Sequence, residues 1–152
     1  NYSLWIAQKM GLPLNECEEL YKAALLHDIG KIGIRDDLLQ KPGRLTQEEY
    51  STIQQHTLIG AGILGNMEPR RAMEQAVATA KSHHERLDGS GYPEGLVGEA
   101  IPLFARIVSV ADTFDAMTTV RSISGRPLRG SRSCGNSCST SAISLPRSPQ
   151  PI

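Results

Sequence analysis

A carboxylate stands in the middle of a run that otherwise belongs in a core: Ile107-Val108-Ser109-Val110-Ala111-Asp112-Thr113-Phe114. Any fold of this chain must bring Asp112 a counter-charge, because a buried, unpaired carboxylate is expensive and is seldom kept without a partner. No Lys or Arg lies within a helical turn of it, since Arg106 is six residues before and Arg121 nine after. The same demand recurs at the doublet His27-Asp28, at His56 and at the doublet His83-His84, which together contain all four histidines of the chain. Four imidazoles and two carboxylates make a hard-to-borderline N/O donor set. Such a set suits Mn, Fe or Zn better than Ca or a thiolate site. A shared cation would supply the charge that Asp112 lacks.

Bulk properties narrow the classes further. With 152 residues there is room for one domain with a real core. The formal net charge is zero, so no basic stripe argues for a nucleic-acid polymer as partner. No apolar stretch approaches the roughly 20 residues of a membrane helix, and no signal-peptide pattern opens the chain. Three cysteines without a paired framework point to a reducing compartment, hence a cytoplasmic protein.

Helix punctuation is strong over the first two thirds, and no strand-period alternation of useful length appears. The chain starts at Asn1 inside what reads as the later turns of a helix, Leu4 to Met10, closed by Gly11-Leu12-Pro13; it is expected to be a fragment of something longer. Asn15 offers an N-cap answered by Glu18, and that helix should run past Leu20 and Ala24 through His27-Asp28 to end near Gly30. Thr46 and Glu49 form a capping box with Leu45 and Tyr50 as staple; one helix should follow, carrying Ile53, His56, Gly60 and Leu64. Pro69 opens another, through Met73, Ala76 and Ala80 to His83-His84. A Gly/Pro-rich loop spans Leu87 to Pro102, and a last helix from Leu103 carries Asp112. The fold class is all-α.

Adjacent helical residues diverge by about 100°, so His27 and Asp28 should reach a metal cluster from different sides. Lys31 lies on a neighbouring part of that surface, where it suits either a phosphate oxygen or a metal-site water, or simply the negative end of the helix. A lone histidine such as His56, at the edge of a stripe, is more often a hydrogen-bonded core residue than a ligand. The set as a whole argues for ligation far better than any member does.

His27-Asp28-Ile29-Gly30-Lys31 resembles the signature of the HD superfamily of metal-dependent phosphohydrolases. His83-His84-Glu85, then Asp88-Gly89-Ser90-Gly91-Tyr92-Pro93, resembles the additional motif of its HD-GYP subgroup, and Val110 to Met117 is similar to the helix that follows it there. The match covers roughly Leu4 to Arg121, and the ordered combination is far more specific than a lone His-Asp pair. The resemblance implies an HD-superfamily helical bundle that hydrolyses the bacterial second messenger cyclic di-GMP to the linear dinucleotide or GMP. It implies two or three Fe or Mn ions on His27, Asp28, His56, His83, His84 and Asp112. Asp28 would be the bridging ligand and, with Lys31, a catalytic residue; Lys31 and Arg121 would contact substrate phosphate. Asp88, Gly89, Gly91, Tyr92 and Pro93 would shape a loop beside the site and a docking surface for a partner, such as a diguanylate cyclase domain or an upstream sensory or receiver domain. Alternatives are a phosphohydrolase for another cyclic dinucleotide or nucleotide, a catalytically impaired sensory module, and a metal-free helical domain.

Two departures accompany the match. HD-type sites use a further His on the preceding helix, and residues 1–21 contain none; Ser124 stands where a second basic residue is expected. The domain is therefore expected to be partial, over residues 1–121. From Ser122 to Ile152 the chain is crowded with Ser, Arg, Gly and Pro and has almost no apolar periodicity, so an irregular or disordered tail is expected. Codons for Arg132-Ser133-Cys134-Gly135 also admit Glu-Leu-Arg in a neighbouring frame, which makes a frameshifted C-terminus a second expectation. Cys134 and Cys138 are expected to be incidental.

Overall fold

The computed structural model describes residues 2–118; Arg121, Ser124, Cys134, Cys138 and the tail from 122 to 152 lie outside the described residues. Every regular element among those residues is helical, as the punctuation predicts. The order is α1 (Tyr2–Lys9), α2 (Leu14–Leu26), a 3₁₀ turn (Ile29–Gly33), α3 (Asp36–Leu39), α4 (Gln47–Gln54), α5 (His56–Gly65), α6 (Arg70–Ser82), a second 3₁₀ turn (Gly98–Ala100) and α7 (Leu103–Thr118). One isolated bridge, Asp88 to Val97, ties the long loop to itself.

Helices α2, α5, α6 and α7 enclose the core, which α1 closes at one side. Leu20, Leu64, Ala80 and Val108 are buried at its centre. Truncating a residue such as Leu64 would forfeit roughly 2–5 kcal/mol, through lost transfer energy and the cavity left behind. Small residues let the helices approach closely. Gly30 is the extreme case, since a Cβ there would lie 1.9 Å from the His56 carbonyl oxygen and 2.4 Å from the Gly60 nitrogen. The 3₁₀ turn and α5 are therefore in backbone contact.

Boundaries differ from the sequence expectation in three places. Pro13, not Asn15, is the N-cap of α2: its carbonyl accepts the Cys17 N–H at 3.0 Å, which starts the helix early and leaves Asn15 inside the first turn. At its other end α2 stops at Leu26 instead of carrying through Asp28. Asp28 leaves helical geometry (φ −102°, ψ 8°), and the chain tightens into the 3₁₀ turn.

The helix expected from Thr46 to Leu64 is two, broken at Gln55, whose N–H bonds the Thr52 carbonyl in a tighter turn. At the break the carbonyls of Ile53 and Gln54 are engaged by the His56 ring (2.6 Å) and the Thr57 hydroxyl (3.0 Å). The start of α4 is as predicted: Thr46 and Glu49 close a reciprocal capping box.

Candidate metal centre

Three of the four histidines are aimed by the same local device. The Nδ1 of His27 bonds the Ala24 carbonyl (2.8 Å), that of His56 the Ile53 carbonyl (2.6 Å) and that of His83 the Ala80 carbonyl (2.9 Å), each three residues back along the chain. A carbonyl only accepts, so each Nδ1 must carry the proton. In the neutral ring each Nε2 then presents a lone pair.

These lone pairs converge. The Nε2 atoms of His56 and His83 face one another at 3.5 Å, which cannot be a hydrogen bond when neither holds a proton. The Asp28 carboxylate lies among them, with Oδ2 3.4 Å from His27 Nε2 and Oδ1 3.5 and 3.7 Å from the Nε2 atoms of His56 and His83. His84 completes a group of four with Asp28, His56 and His83, in which one donor atom from each lies within 4.8 Å of all the others.

Both His27 Nε2 and Asp28 Oδ1 are buried without a hydrogen-bond partner among the described residues. Buried polar atoms without partners are costly, and here they are acceptors pointing at acceptors. A cation among them removes the penalty, so the donors present fit a divalent metal.

Electrostatics favour the ligating forms. Burial pushes His83 down to about 3, assisted by the repulsion of His84 and His27, and it pushes His84 down to about 4, with His56 contributing. His56 is lowered as well, mainly by burial. At neutral pH these rings are uncharged, as metal binding requires. Burial alone would raise Asp28, but its hydrogen bond from Lys31 and the electrostatic pull of His27, Lys31 and His83 in the low-pH range where it titrates leave it below the ordinary carboxylate value. Lys31 Nζ donates a short hydrogen bond to Asp28 Oδ2. That contact carries further than either sequence reading of Lys31: the ammonium sits beside the donor cluster.

Two sequence expectations need correction. His27 and Asp28 do not splay apart. The bend at Asp28 brings both to one centre, and their side chains meet at 3.4 Å. Asp112 is not buried; its side chain is 38% exposed, and its carboxylate lies 4.0 Å from His27 Nε2 at the edge of the cluster. This partial exposure removes the desolvation cost from which a counter-charge was expected.

The buried carboxylate belongs to Glu85, which is 4% exposed and which sequence reasoning did not single out. Its oxygens accept the backbone N–H groups of Glu94 (2.7 Å), Gly95 (3.2 Å) and Leu96 (3.0 Å). This clasp folds the loop back over the end of α6. Gly91 makes the fold possible, since a Cβ there would lie 2.4 Å from the Arg86 nitrogen and the Glu85 Cα. The loop so held sets the Tyr92 ring against His84, 4.9 Å between centroids and 24° from parallel. Tyr50 of α4, also not foreseen, meets Tyr92 edge-on at 6.2 Å.

Of the other loop residues, Asp88 turns outward to bond the Ser90 amide and hydroxyl, away from the donor cluster. Gly89 takes a positive φ of 78° in that turn.

Comparison with known proteins identifies the family. The family model described as HD domain matches residues 1–134. Over 116 residues, 76% of the chain, the sequence is 49% identical to the cyclic di-GMP phosphodiesterase response regulator RpfG of Xanthomonas campestris, and 49% identical to a cyclic di-GMP phosphodiesterase of Thermotoga maritima. It is 44% identical over 117 residues, 77% of the chain, to the 3'3'-cGAMP-specific phosphodiesterase 2 of Vibrio cholerae. The chain spans 30%, 31% and 22% of the lengths of these three relatives, respectively. Among the described residues no helix is long and apolar enough to cross a membrane.

Proposed function

We propose, from the fact that this chain belongs to the HD domain family and carries an HD-GYP-type domain, that it is the metal-binding and catalytic part of a phosphodiesterase. Its substrate is cyclic di-GMP, opened to the linear dinucleotide or cleaved to GMP. The observation that carries this reading is the convergence of the Nε2 atoms of His27, His56 and His83 on Asp28.

Asp28, His56, His83 and His84 would hold one ion. His27 and Asp112, meeting across 4.0 Å on the other side of Asp28, extend the donor set enough for a second. The Asp28 carboxylate would be shared between them. Two or three ions of Fe or Mn suit these imidazole and carboxylate donors. When bound, such ions supply Lewis acidity that activates water and takes up charge on phosphoryl oxygens.

The chain's own residues do the rest. The neutral rings fix the separation of the donors. Lys31, held by Asp28, places an ammonium at the rim, where it attracts a phosphate and offsets charge that grows on its oxygens. Arg121 has the same role in this reading and lies outside the described residues. Residues 1–121 form the domain. A receiver or diguanylate cyclase domain is the partner, in keeping with the response regulator among its relatives.

The likeness to the 3'3'-cGAMP-specific enzyme supports a second substrate for the same chemistry. A metal count joined to hydrolysis assays on both dinucleotides tests the reading. The intact protein should hold at least two transition metals per chain, and Asp28→Ala should lose both metal and turnover. Wild-type turnover by that variant would refute the assignment.

A further inference from the structure

His84 differs from its three companions in how it is held. The Nδ1 of His27, of His56 and of His83 is tied to a carbonyl of its own segment. Among the described residues the His84 ring makes no hydrogen bond; its ring contacts are with a face of Tyr92, 4.9 Å away and nearly parallel, and with His56 and His83. A ligand ring without an outer hydrogen bond is free to rotate about its side-chain bonds, and it loses affinity as it does so. Stacking on Tyr92 offers a restraint in its place.

Tyr92 is itself well fixed. Its backbone N–H bonds the His84 carbonyl at 3.3 Å, the Glu85 clasp holds the loop on its far side, and Tyr50 packs against its ring at 80°. Burial, then Tyr50, drives the Tyr92 phenol well above its ordinary value, so the ring presents a neutral face to His84.

We infer that Tyr92, buttressed by Tyr50, is a positioning residue that orients His84 for metal binding through ring stacking, in place of the carbonyl bond used by the other three histidines. This inference rests on the reading of His84 as a ligand. It gives the loop tyrosine a task toward the metal, and it recruits α4, which bears none of the donor side chains, to the construction of the site.

A double-mutant cycle on the intact protein, read as Mn²⁺ affinity by chelator competition, tests it. Tyr92→Leu should weaken binding about 10-fold, while Tyr92→Phe, which keeps the stacking face, should stay near the unaltered affinity. In a His84→Ala background, Tyr92→Leu should bring no further loss, because the ring it steadies is gone. Tyr50→Ala leaves the loop sequence untouched and should show a smaller loss that also vanishes in that background.

A Tyr92 that merely shapes the loop would give losses that add to those of His84→Ala, and that outcome overturns the inference. Unaltered affinity in Tyr92→Leu overturns it too. If His84→Ala binds Mn²⁺ as tightly as the parent, the assignment of His84 as a ligand fails, and the inference fails with it.

Discussion

Gly30→Ala introduces a methyl carbon 1.9 Å from the His56 carbonyl oxygen, 2.4 Å from the Gly60 nitrogen and 2.9 Å from the Gly60 Cα. Real contacts of this kind do not fall below 3.0 Å, so the 3₁₀ turn and α5 must separate by at least 3.0 − 1.9 = 1.1 Å. No flexible side chain can yield in their place, because all three atoms are backbone. Overpacking of this severity belongs at the upper end of its usual range, ~3 kcal/mol. In a domain of this size that lowers the melting temperature by roughly 10 °C.

The same displacement moves Asp28 away from His56, which now lie 3.5 Å apart. Metal-ligand distances tolerate only about 0.2 Å, so metal affinity should collapse alongside stability. Thermal unfolding followed by circular dichroism, together with chelator competition, reads both effects. A variant that melts within about 2 °C of the parent and keeps its metal would show that the backbone contact is not what sets the separation of these donors.

Glu85→Ala should cost about 2–3 kcal/mol by leaving three backbone donors unpaired, and hydrogen exchange at the Glu94 and Leu96 amides should accelerate. Thr46→Ala should cost about 1 kcal/mol in denaturant unfolding by opening the capping box. The metal-free protein should lose stability as pH falls from 6.5, the ordinary histidine value, toward 4. Over that window the unfolded chain binds protons at His83 and His84 while the folded chain, with values of about 3 and 4, does not. A flat melting temperature from pH 7 to pH 4.5 would contradict this sign.

The helical class, the capping box at Thr46 and the donor residues were legible because each depends on local pattern. Caps are fixed by a few neighbouring residues, and four histidines falling in one lone residue and two doublets are conspicuous as a set. What was not legible depended on backbone geometry or on distant contact. The break at Gln55 lies within an unbroken helical stripe, so periodicity could not reveal it. The turn at Asp28, which brings adjacent side chains together, is equally invisible to a helical wheel.

Asp112 was inferred to be buried from its apolar neighbours, yet it sits where α7 meets the edge of the cluster. Glu85 gave one signal that was available, a carboxylate placed immediately before a glycine-rich loop whose amides need acceptors. Tyr50 gave none, since only the folded loop brings it to Tyr92.

The carbonyl tethers of His27, His56 and His83 divide the labour of building the site. Ring direction is inherited from the local turn of chain, while the gap between rings is set by how closely the helices lie. A different spacing of α5 and α6 would therefore suit an ion of different radius, with the three tethered imidazoles still facing inward. Metal preference in such a bundle becomes a matter of interhelical spacing, adjustable by residues in the packing seam that never touch the ion.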